Sequence, residues 1–397
     1  MSGGPLEGIL VADFSRVLAG PLASSTLADF GATVVKVERP GGGDDTRAWG
    51  PPWTGESSAY FECANRSKRS AALDLAEPEG AAAARALARR ADVVVENFRP
   101  GGLARYGLGY DQVRAANPGV VYCSISGFGS AGGASLSGYD FIVQAVGGLM
   151  SITGAPDAAP TKAGVALVDV LTGKDAVTGI LAALRHRDST GAGQHVEVNL
   201  LASLLASLAN QSAGYLATGD SPRRMGNRHP SIAPYETLAC ADGLLAVAAG
   251  NDRQFGALGR AVGRPELADD PRFRGNADRV RNRDALVAEL EGALAHRTTA
   301  AWEERLRAAG VPCGPVNDIG TAFAFAADLG LDPLHDMGEG RIAQPRNPIG
   351  LSGSPPTAPT PPPRLGEHTD EVLAWLTSEA PAPLSPLPGP GSGPPAP

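Results

Sequence analysis

Between Lys162 and Gly173 the chain reads KAGVALVDVLTG, an apolar run interrupted by one acid, Asp169. The run has the pattern of a strand, and a helical pattern begins at Asp169. The carboxylate is therefore expected at a strand-to-helix junction. In an α/β protein such a junction lies at the carboxyl edge of the sheet, where open sheets gather their ligands. A helix N-terminus adds amide donors and a dipole that favour the ionised form. An ionised, lightly solvated carboxylate is a usable nucleophile. Asp is also among the preferred N-cap residues. Position alone leaves the cap and the nucleophile both open.

Other chemistry is sparse. The four cysteines, Cys63, Cys123, Cys240 and Cys313, are far apart, and the six histidines form no H-E-x-x-H, so no metal site or disulfide framework is expected. With 397 residues, 43% of them hydrophobic, the chain is long enough for two globular domains. Its formal net charge of −8 argues against nucleic acid as the main partner, although Arg can be concentrated locally around an anionic ligand. The N-terminal MSGGPLEGILVADFS lacks a basic n-region. The apolar stretch from Leu200 to Leu216 carries Asn210, Gln211 and several Ser, and so is too polar to span a bilayer. The expectation is a cytoplasmic enzyme with no membrane partner.

The elements that must position these residues alternate as β and α through the first two hundred positions. Strands are expected at Ile9–Asp13, Thr33–Val37, Asp92–Val95, Val120–Ile125 and His195–Val198, and helices at Leu22–Phe30, Pro78–Ala91 and from Asp169 to about His186. Pro78 fits the first turn of its helix. This is the pattern of a Rossmann-like parallel sheet, in an α/β fold whose large domain begins at residues 1–200. One long helix, Asn199 to about Ala217, leads through a linker or interface segment (200–225) to a smaller α+β domain at 225–325. That domain should hold two short strands around Asp242-Gly243, helices near Asp252–Val262, Arg283–Leu294 and Ala300–Ala309, and a strand at Val311–Val316. Residues 326–377, with a last helix at Thr369–Leu376, return to the large domain. The Pro-rich tail, 378–397, is expected to be disordered.

Collinear motifs then run along nearly the whole chain: D-F-S-R-V-L-A-G-P (Asp13–Pro21), V-V-K-V-E-R-P-G-G-G-D (Val34–Asp44), N-R-S-K-R-S (Asn65–Ser70), L-D-L (Leu73–Leu75), A-D-V-V-V-E-N-F-R-P-G (Ala91–Gly101), G-Y-D (Gly138–Asp140), T-G-A-G-Q (Thr190–Gln194), G-N-R-H-P (Gly226–Pro230), A-P-Y (Ala233–Tyr235), A-G-V-P-C-G-P-V-N (Ala309–Asn317) and L-G-E-H-T-D (Leu365–Asp370). In this set and order the sequence resembles the class III CoA-transferases, the CaiB/BaiF family.

The resemblance implies that Asp169 is the nucleophile. It would attack an acyl-CoA thioester to give an aspartyl–acyl anhydride and then an aspartyl-CoA thioester, before CoA passes to a carboxylic acid. It also implies CoA contacts at Val17, Leu18, Ala19, Arg39, Leu73, Asn97, Phe98 and Arg105, a substrate pocket near Tyr139, Gln144 and Gly250, and an interlocked homodimer whose site includes the Gly226–Tyr235 region. The CoA thioester is a co-substrate, and no permanently bound cofactor is implied. Cations suit the phosphates of CoA, and Arg39, Arg99 and Arg105 are candidates to supply them.

Two departures bear on the substrate. Leu18 stands where some members have Gln, and Ala248–Phe255, the counterpart of a glycine-rich closing loop, holds only Gly250. A carboxylic acid larger than formate or oxalate is expected, with succinyl-CoA as a possible donor. Three rival readings follow from the same residues. An α-methylacyl-CoA racemase would need a second group titrating near neutrality, and Tyr139 stands where that branch carries His. A dinucleotide oxidoreductase would need a full G-x-G-x-x-G at the first turn, which S-R-V-L-A-G-P does not supply. A non-catalytic acyl-CoA binder would keep the fold and make no use of Asp169.

Overall fold

The protein was analysed as a computed structural model, which describes residues 4–55, 57–378, 382–385 and 387. Six strands form the main sheet: β1 (Leu10–Asp13), β2 (Thr33–Glu38), β3 (Lys68–Ala72), β4 (Val93–Glu96), β5 (Val121–Ser126) and β6 (His195–Asn199). Every neighbouring pair is parallel, and the order is β3-β2-β1-β4-β5-β6. Successive strands are therefore laid outward from β1 in one direction and then from β4 in the other. The strand order reverses between β1 and β4, which opens a crevice at their carboxyl ends.

Helices cover both faces, as an all-parallel sheet requires. On one face Ala12, Val35, Val94 and Tyr122 pack with Ala84 and Leu87 of α2 (Pro78–Arg90) and Val113 of α3 (Tyr110–Ala116). The C-terminal helix, Thr369–Thr377, adds Val372 and Leu376 to this core. It also shields the edge strand β3, because His368 Nδ1 and Thr369 Oγ1 accept the Ser70 and Ala72 amides. Of the tail read as disordered, residues 382–385 are seated: Leu384 is buried, Ala382 O accepts from Trp375 Nε1 (2.8 Å), and Ser385 O accepts from Arg69 Nη2. Residues 379–381, 386 and 388–397 lie outside the described residues.

The opposite face lies under α1 (Ala19–Asp29) and hides charges. Asp13, Lys36 and Lys68 are wholly buried. Lys68 Nζ binds Asp13 Oδ2 (3.1 Å), Pro21 O (2.8 Å) and Asn65 Oδ1 (2.9 Å), while Lys36 Nζ binds Asp44 Oδ2 (2.9 Å) and Ser15 O (2.8 Å). Burial alone would raise the Asp13 pKa, but Lys68, Lys36 and the Ser15 and Ser24 hydroxyls outweigh it and hold the carboxyl at about 2.

The chain divides into two compact units, the first comprising 1–147, 163–216 and 332–397 and the second 148–162 and 217–331. The second unit thus begins and ends outside the 225–325 read from the sequence. It gains 148–162 through bonds such as Gly226 N to Gly154 O (3.0 Å). Its sheet is antiparallel, with β7 (Tyr235–Ala239), β8 (Leu244–Ala248) and β9 (Cys313–Pro315) in the order β9-β8-β7. Leu238, Leu245 and Val247 pack against Phe255, Leu286, Leu290 and Trp302 of its helices.

Three expectations need correction. No strand precedes Asp169, because residues 161–166 are irregular and the helix starts at Leu167. The single helix at Asn199–Ala217 is two, Leu200–Ser207 and Ala209–Thr218, broken where Ala209 takes a left-handed φ of 45°. The segment Ala248–Phe255 is not a loop throughout. Asn251 caps a helix (Asp252–Ala261) by accepting from Gln254 N (2.9 Å), which leaves only 249–251 irregular. Among the described residues no helix is long and apolar enough to cross a membrane.

Removing one member of the buried charge set leaves its partners stranded in a dry interior. Asp13→Ala is expected to cost about 3–5 kcal/mol of unfolding free energy at neutral pH, read by urea denaturation. The native Asp13 carboxyl titrates below the unfolded value of 3.8, so its contribution is full above that range and is lost as pH falls through about 2.

Candidate active site

The crevice at the strand-order reversal is walled by the residues that follow β1 and β4. Phe14 N donates to Val95 O (2.8 Å), so the two strands stay paired to their ends. Beyond that point the side chain of Asn97 takes over as a backbone mimic. Its Oδ1 accepts from Arg16 N (2.8 Å) and its Nδ2 donates to Arg16 O (2.6 Å). Lys36 holds Ser15 O, and Asp44 Oδ1 accepts from Val17 N (3.2 Å). Val17 is held at φ 70°, a left-handed conformation that a β-branched residue rarely adopts. Three consecutive residues are thus pinned from three sides, and the next turn of chain enters α1.

Asp169 is in the first turn of α5 (Leu167–Thr190), three residues in, and does not cap it. The cap comes from elsewhere. Asp140, the first residue of α4 (Asp140–Val146), accepts on Oδ1 from Val168 N (2.8 Å) and Asp169 N (3.3 Å). Gln144 supports it from below. Its Nε2 donates to Asp140 Oδ2 (2.7 Å) and its Oε1 accepts from Ala163 N (2.8 Å). Glycines allow both approaches. Gly127, after β5, and Gly138 lie so close that a Cβ on either would overlap the other's backbone. In α5, a Cβ at Gly173 would come within 2.8 Å of Ala19 O, so Gly173 lets the helix settle against the start of α1.

The electrostatic outcome differs from the expectation for a helix N-terminus. The Val168 and Asp169 amides are taken by Asp140 and the Leu167 amide by Val165 O, and among the described residues no hydrogen-bond donor supports the Asp169 carboxylate. Only 9% of Asp169 is exposed. Burial, followed by the nearby negative charge of Asp140, pushes its pKa up to about 7. Near neutrality the group divides between acid and carboxylate. Once ionised it is more basic than an ordinary Asp, and it is poorly solvated.

Two cavities lie side by side along this crevice. One, of about 310 Å3, takes in Val17, Leu18, Ala19, Asn97, Tyr139 and Asp169. The other, of about 170 Å3, is lined on its apolar side by Phe14, Leu73, Leu75 and Tyr106, with Arg39 among its polar residues. Arg16 and Phe98 belong to both. Arg105 stacks over the Tyr106 ring, 4.6 Å from its centroid, which sets it next to the second cavity. Arg99 is on the wall of the first.

Of the residues expected in the site, Val17, Leu18, Ala19, Asn97, Phe98, Tyr139 and Asp169 come together around one cavity, and Arg39 and Leu73 around the other. Two others have these surroundings. Gln144 is wholly buried and serves as a prop for Asp140. Gly250 belongs to the second unit, where its N–H donates to Gln254 Oε1 (3.0 Å). The Asn97 side chain faces the Arg16 backbone, so it orders the cavity wall.

Sequence reasoning missed three residues. Asp140 stood in the G-Y-D motif and Arg16 in D-F-S-R-V-L-A-G-P, but neither was given a role. Tyr60, in a short helix (Ala59–Glu62), carried no signal at all. Its hydroxyl is pushed up to about 12 by burial and then by the charge of Asp169, and its ring meets Trp49 edge-on at 5.4 Å.

Residues 6–369 match the model of CoA-transferase family III. The chain is 47% identical to the succinate–glutarate CoA-transferase of Agrobacterium fabrum over 94% of its own length and 96% of that protein. It is 40% identical to the human succinyl-CoA:glutarate CoA-transferase, covering 93% of this chain and 85% of that one. Among solved structures, a CaiB/BaiF family protein from Brucella suis superposes with a TM-score of 0.85 at 45% identity, covering 95% of this chain and all (100%) of the other. The family model spans nearly the whole chain and these relatives are 40–47% identical over most of its length, so the chain is a member of the class III CoA-transferase family.

Proposed function

We propose that the protein moves CoA from succinyl-CoA to a short dicarboxylic acid such as glutarate, through covalent intermediates on Asp169. The observation that carries this reading is the carboxylate of Asp169 in a largely buried position at one end of paired cavities. CoA has a nucleotide at one end and a thiol at the other. The apolar cavity with Leu73 and Tyr106 suits the nucleotide, and the cavity with Asp169 suits the thioester.

The exchange needs no net proton transfer. The Asp169 carboxylate attacks the acyl carbon, and the C–S bond breaks to release CoA thiolate, leaving a mixed anhydride. The thiolate attacks the Asp169 carbonyl carbon, which expels the first acid as its carboxylate and leaves aspartyl-CoA. The acceptor carboxylate then attacks that thioester, and the released thiolate attacks the acceptor's acyl carbon. This yields the new acyl-CoA and restores Asp169. One thioester replaces another, so the overall free-energy change is small. Both intermediates hydrolyse readily, and burial of Asp169 limits their contact with water.

An acceptor of this class is supported by the names of the relatives, which include transferases for glutarate, mesaconate and citramalate. Arg99, on the wall of the Asp169 cavity, suits an acyl chain with a second carboxylate. A relative from Acetobacter aceti is named for oxalate, so the smallest dicarboxylate belongs in any test. We further propose a homodimer, because α4 and the helix Ala209–Thr218 expose Phe141, Ile142, Val146, Tyr215 and Leu216. Light scattering should give twice the chain mass, and a monomer would overturn this assignment.

Succinyl-CoA incubated with glutarate is expected to yield glutaryl-CoA and succinate, followed by mass spectrometry. Absence of exchange across a panel from oxalate to adipate would reject the acceptor class. Exchange of the α-hydrogen of a 2-methylacyl-CoA with deuterated water, with no acid present, would favour racemase chemistry instead. Asp169→Asn should lower kcat roughly a thousandfold or more, and hydroxylamine trapping during turnover should label Asp169 in the wild type only. Because ionised Asp169 is required and its pKa stands at about 7, kcat should rise with pH through that value. Asp140→Asn removes the neighbouring negative charge and should move this limb to lower pH; an unmoved limb would assign it to another group.

A further inference from the structure

Arg16 and Arg39 meet at one carboxylate. Arg16 Nη1 lies 3.1 Å from Asp45 Oδ2, and Arg39 Nη2 lies 2.9 Å from Asp45 Oδ1. Arg39 lines the apolar cavity, Asp45 lines the Asp169 cavity, and Arg16 lines both. The three side chains therefore bridge the boundary between the two cavities. We propose that Arg16 and Arg39 form a clamp for the diphosphate of CoA, with Asp45 acting as an internal anion that holds the two guanidinium groups together until the ligand displaces it. The proposal rests on the CoA reading given above and assigns a role to Arg16 and Asp45 within it.

Four observations carry it. The first is position: in CoA the diphosphate joins the nucleotide to the pantetheine arm, and Arg16 stands between the cavities suited to each. The second is an incomplete set of partners, since Arg16 Nε is shut away from solvent without a hydrogen-bond acceptor. A guanidinium binds phosphate best through two parallel N–H groups, and Nε with one Nη forms such an edge. The third is charge. Two cations share one carboxylate, so one positive charge is left over, and a diphosphate carrying two negative charges would balance both arginines. The fourth is weakness of the present pairing. Side-chain exposures of 43% for Arg16, 63% for Arg39 and 37% for Asp45 leave these ion pairs within reach of water, where exchange for another anion costs little.

The root of Arg16 is fixed even though its tip is not. Its backbone N–H and C=O are both bound by Asn97, and its guanidinium lies 5.2 Å from the centroid of the Phe98 ring. Loss of Asp45 therefore frees the arginine heads without releasing the loop that carries them.

The test is titration calorimetry of the full chain with CoA, 3′-dephospho-CoA and pantetheine. Arg16→Ala is expected to weaken CoA and 3′-dephospho-CoA alike by about tenfold or more, as loss of one charge-assisted contact implies, with pantetheine affinity retained. Asp45→Asn keeps the shape, removes the competing charge, and should tighten both nucleotides by about threefold. Equal weakening of pantetheine by Arg16→Ala would make the residue structural and overturn the clamp. So would unchanged CoA affinity with a raised KM for the dicarboxylate, which would assign Arg16 to the acceptor. Looser CoA binding in Asp45→Asn would overturn the role of Asp45. If the unmodified protein fails to bind CoA at all, the CoA reading falls and the clamp with it.

Discussion

Two buried lysines under α1 are the constraint on which the crevice depends. Lys36 and Lys68 sit in the dry face of a parallel sheet, where an unpaired ammonium would be prohibitively costly. Each is neutralised by a carboxylate placed at the end of β1 or just beyond β2, and the same carboxylates order the backbone. Asp13 takes the Ser15 amide and hydroxyl, and Asp44 takes the Val17 amide. Charge compensation and loop geometry are thereby one arrangement. The strained turn at Val17 is held by one oxygen of Asp44, whose other oxygen neutralises Lys36.

The environment of Asp169 follows from a division of labour between two acids. A helix N-terminus offers a limited number of amides, and at α5 Asp140 collects those of Val168 and Asp169. The helix is capped by one carboxylate and presents another, which keeps no donor of its own. Had Asp169 been the cap, its charge would have been stabilised and its nucleophilicity reduced. Placed third in the helix and beside a like charge, it is held with a raised proton affinity. The sequence left the cap open to Asp169, whereas the fold gives it to Asp140.

The limits of sequence reading have physical causes in particular residues. β1, β2 and β4 were legible because their cores are runs of Val and Ala, β5 because Val120, Val121 and Ile125 bracket it, and β6 because Val196 and Val198 alternate with polar residues. β3 was not, since K-R-S-A-A has the composition of a surface loop, and only its partners Asp13 and Glu371 make Lys68 and Arg69 acceptable there. Asp169 was legible as the one acid in an apolar run. Its lack of donors was not, because the residue that takes them is 29 positions earlier in the chain. The shared wall of Arg16 and Phe98 likewise requires knowing that the β1 and β4 strand ends are neighbours. That follows from strand order, and no local pattern encodes it.

The pinning of Arg16 to Asn97 has a consequence for what the crevice measures. Two hydrogen bonds thereby join the β1 and β4 loops that wall both cavities, and so tie together the two ends of the crevice wall. Under the CoA reading proposed above, the crevice would then act as a gauge for the carrier. A thioester would come into register with the carboxylate when its arm has the reach of pantetheine, and one on a shorter or longer arm would be offered to the wrong place. Discrimination among carriers would come from this stiffness, independent of any contact with the acyl group they deliver.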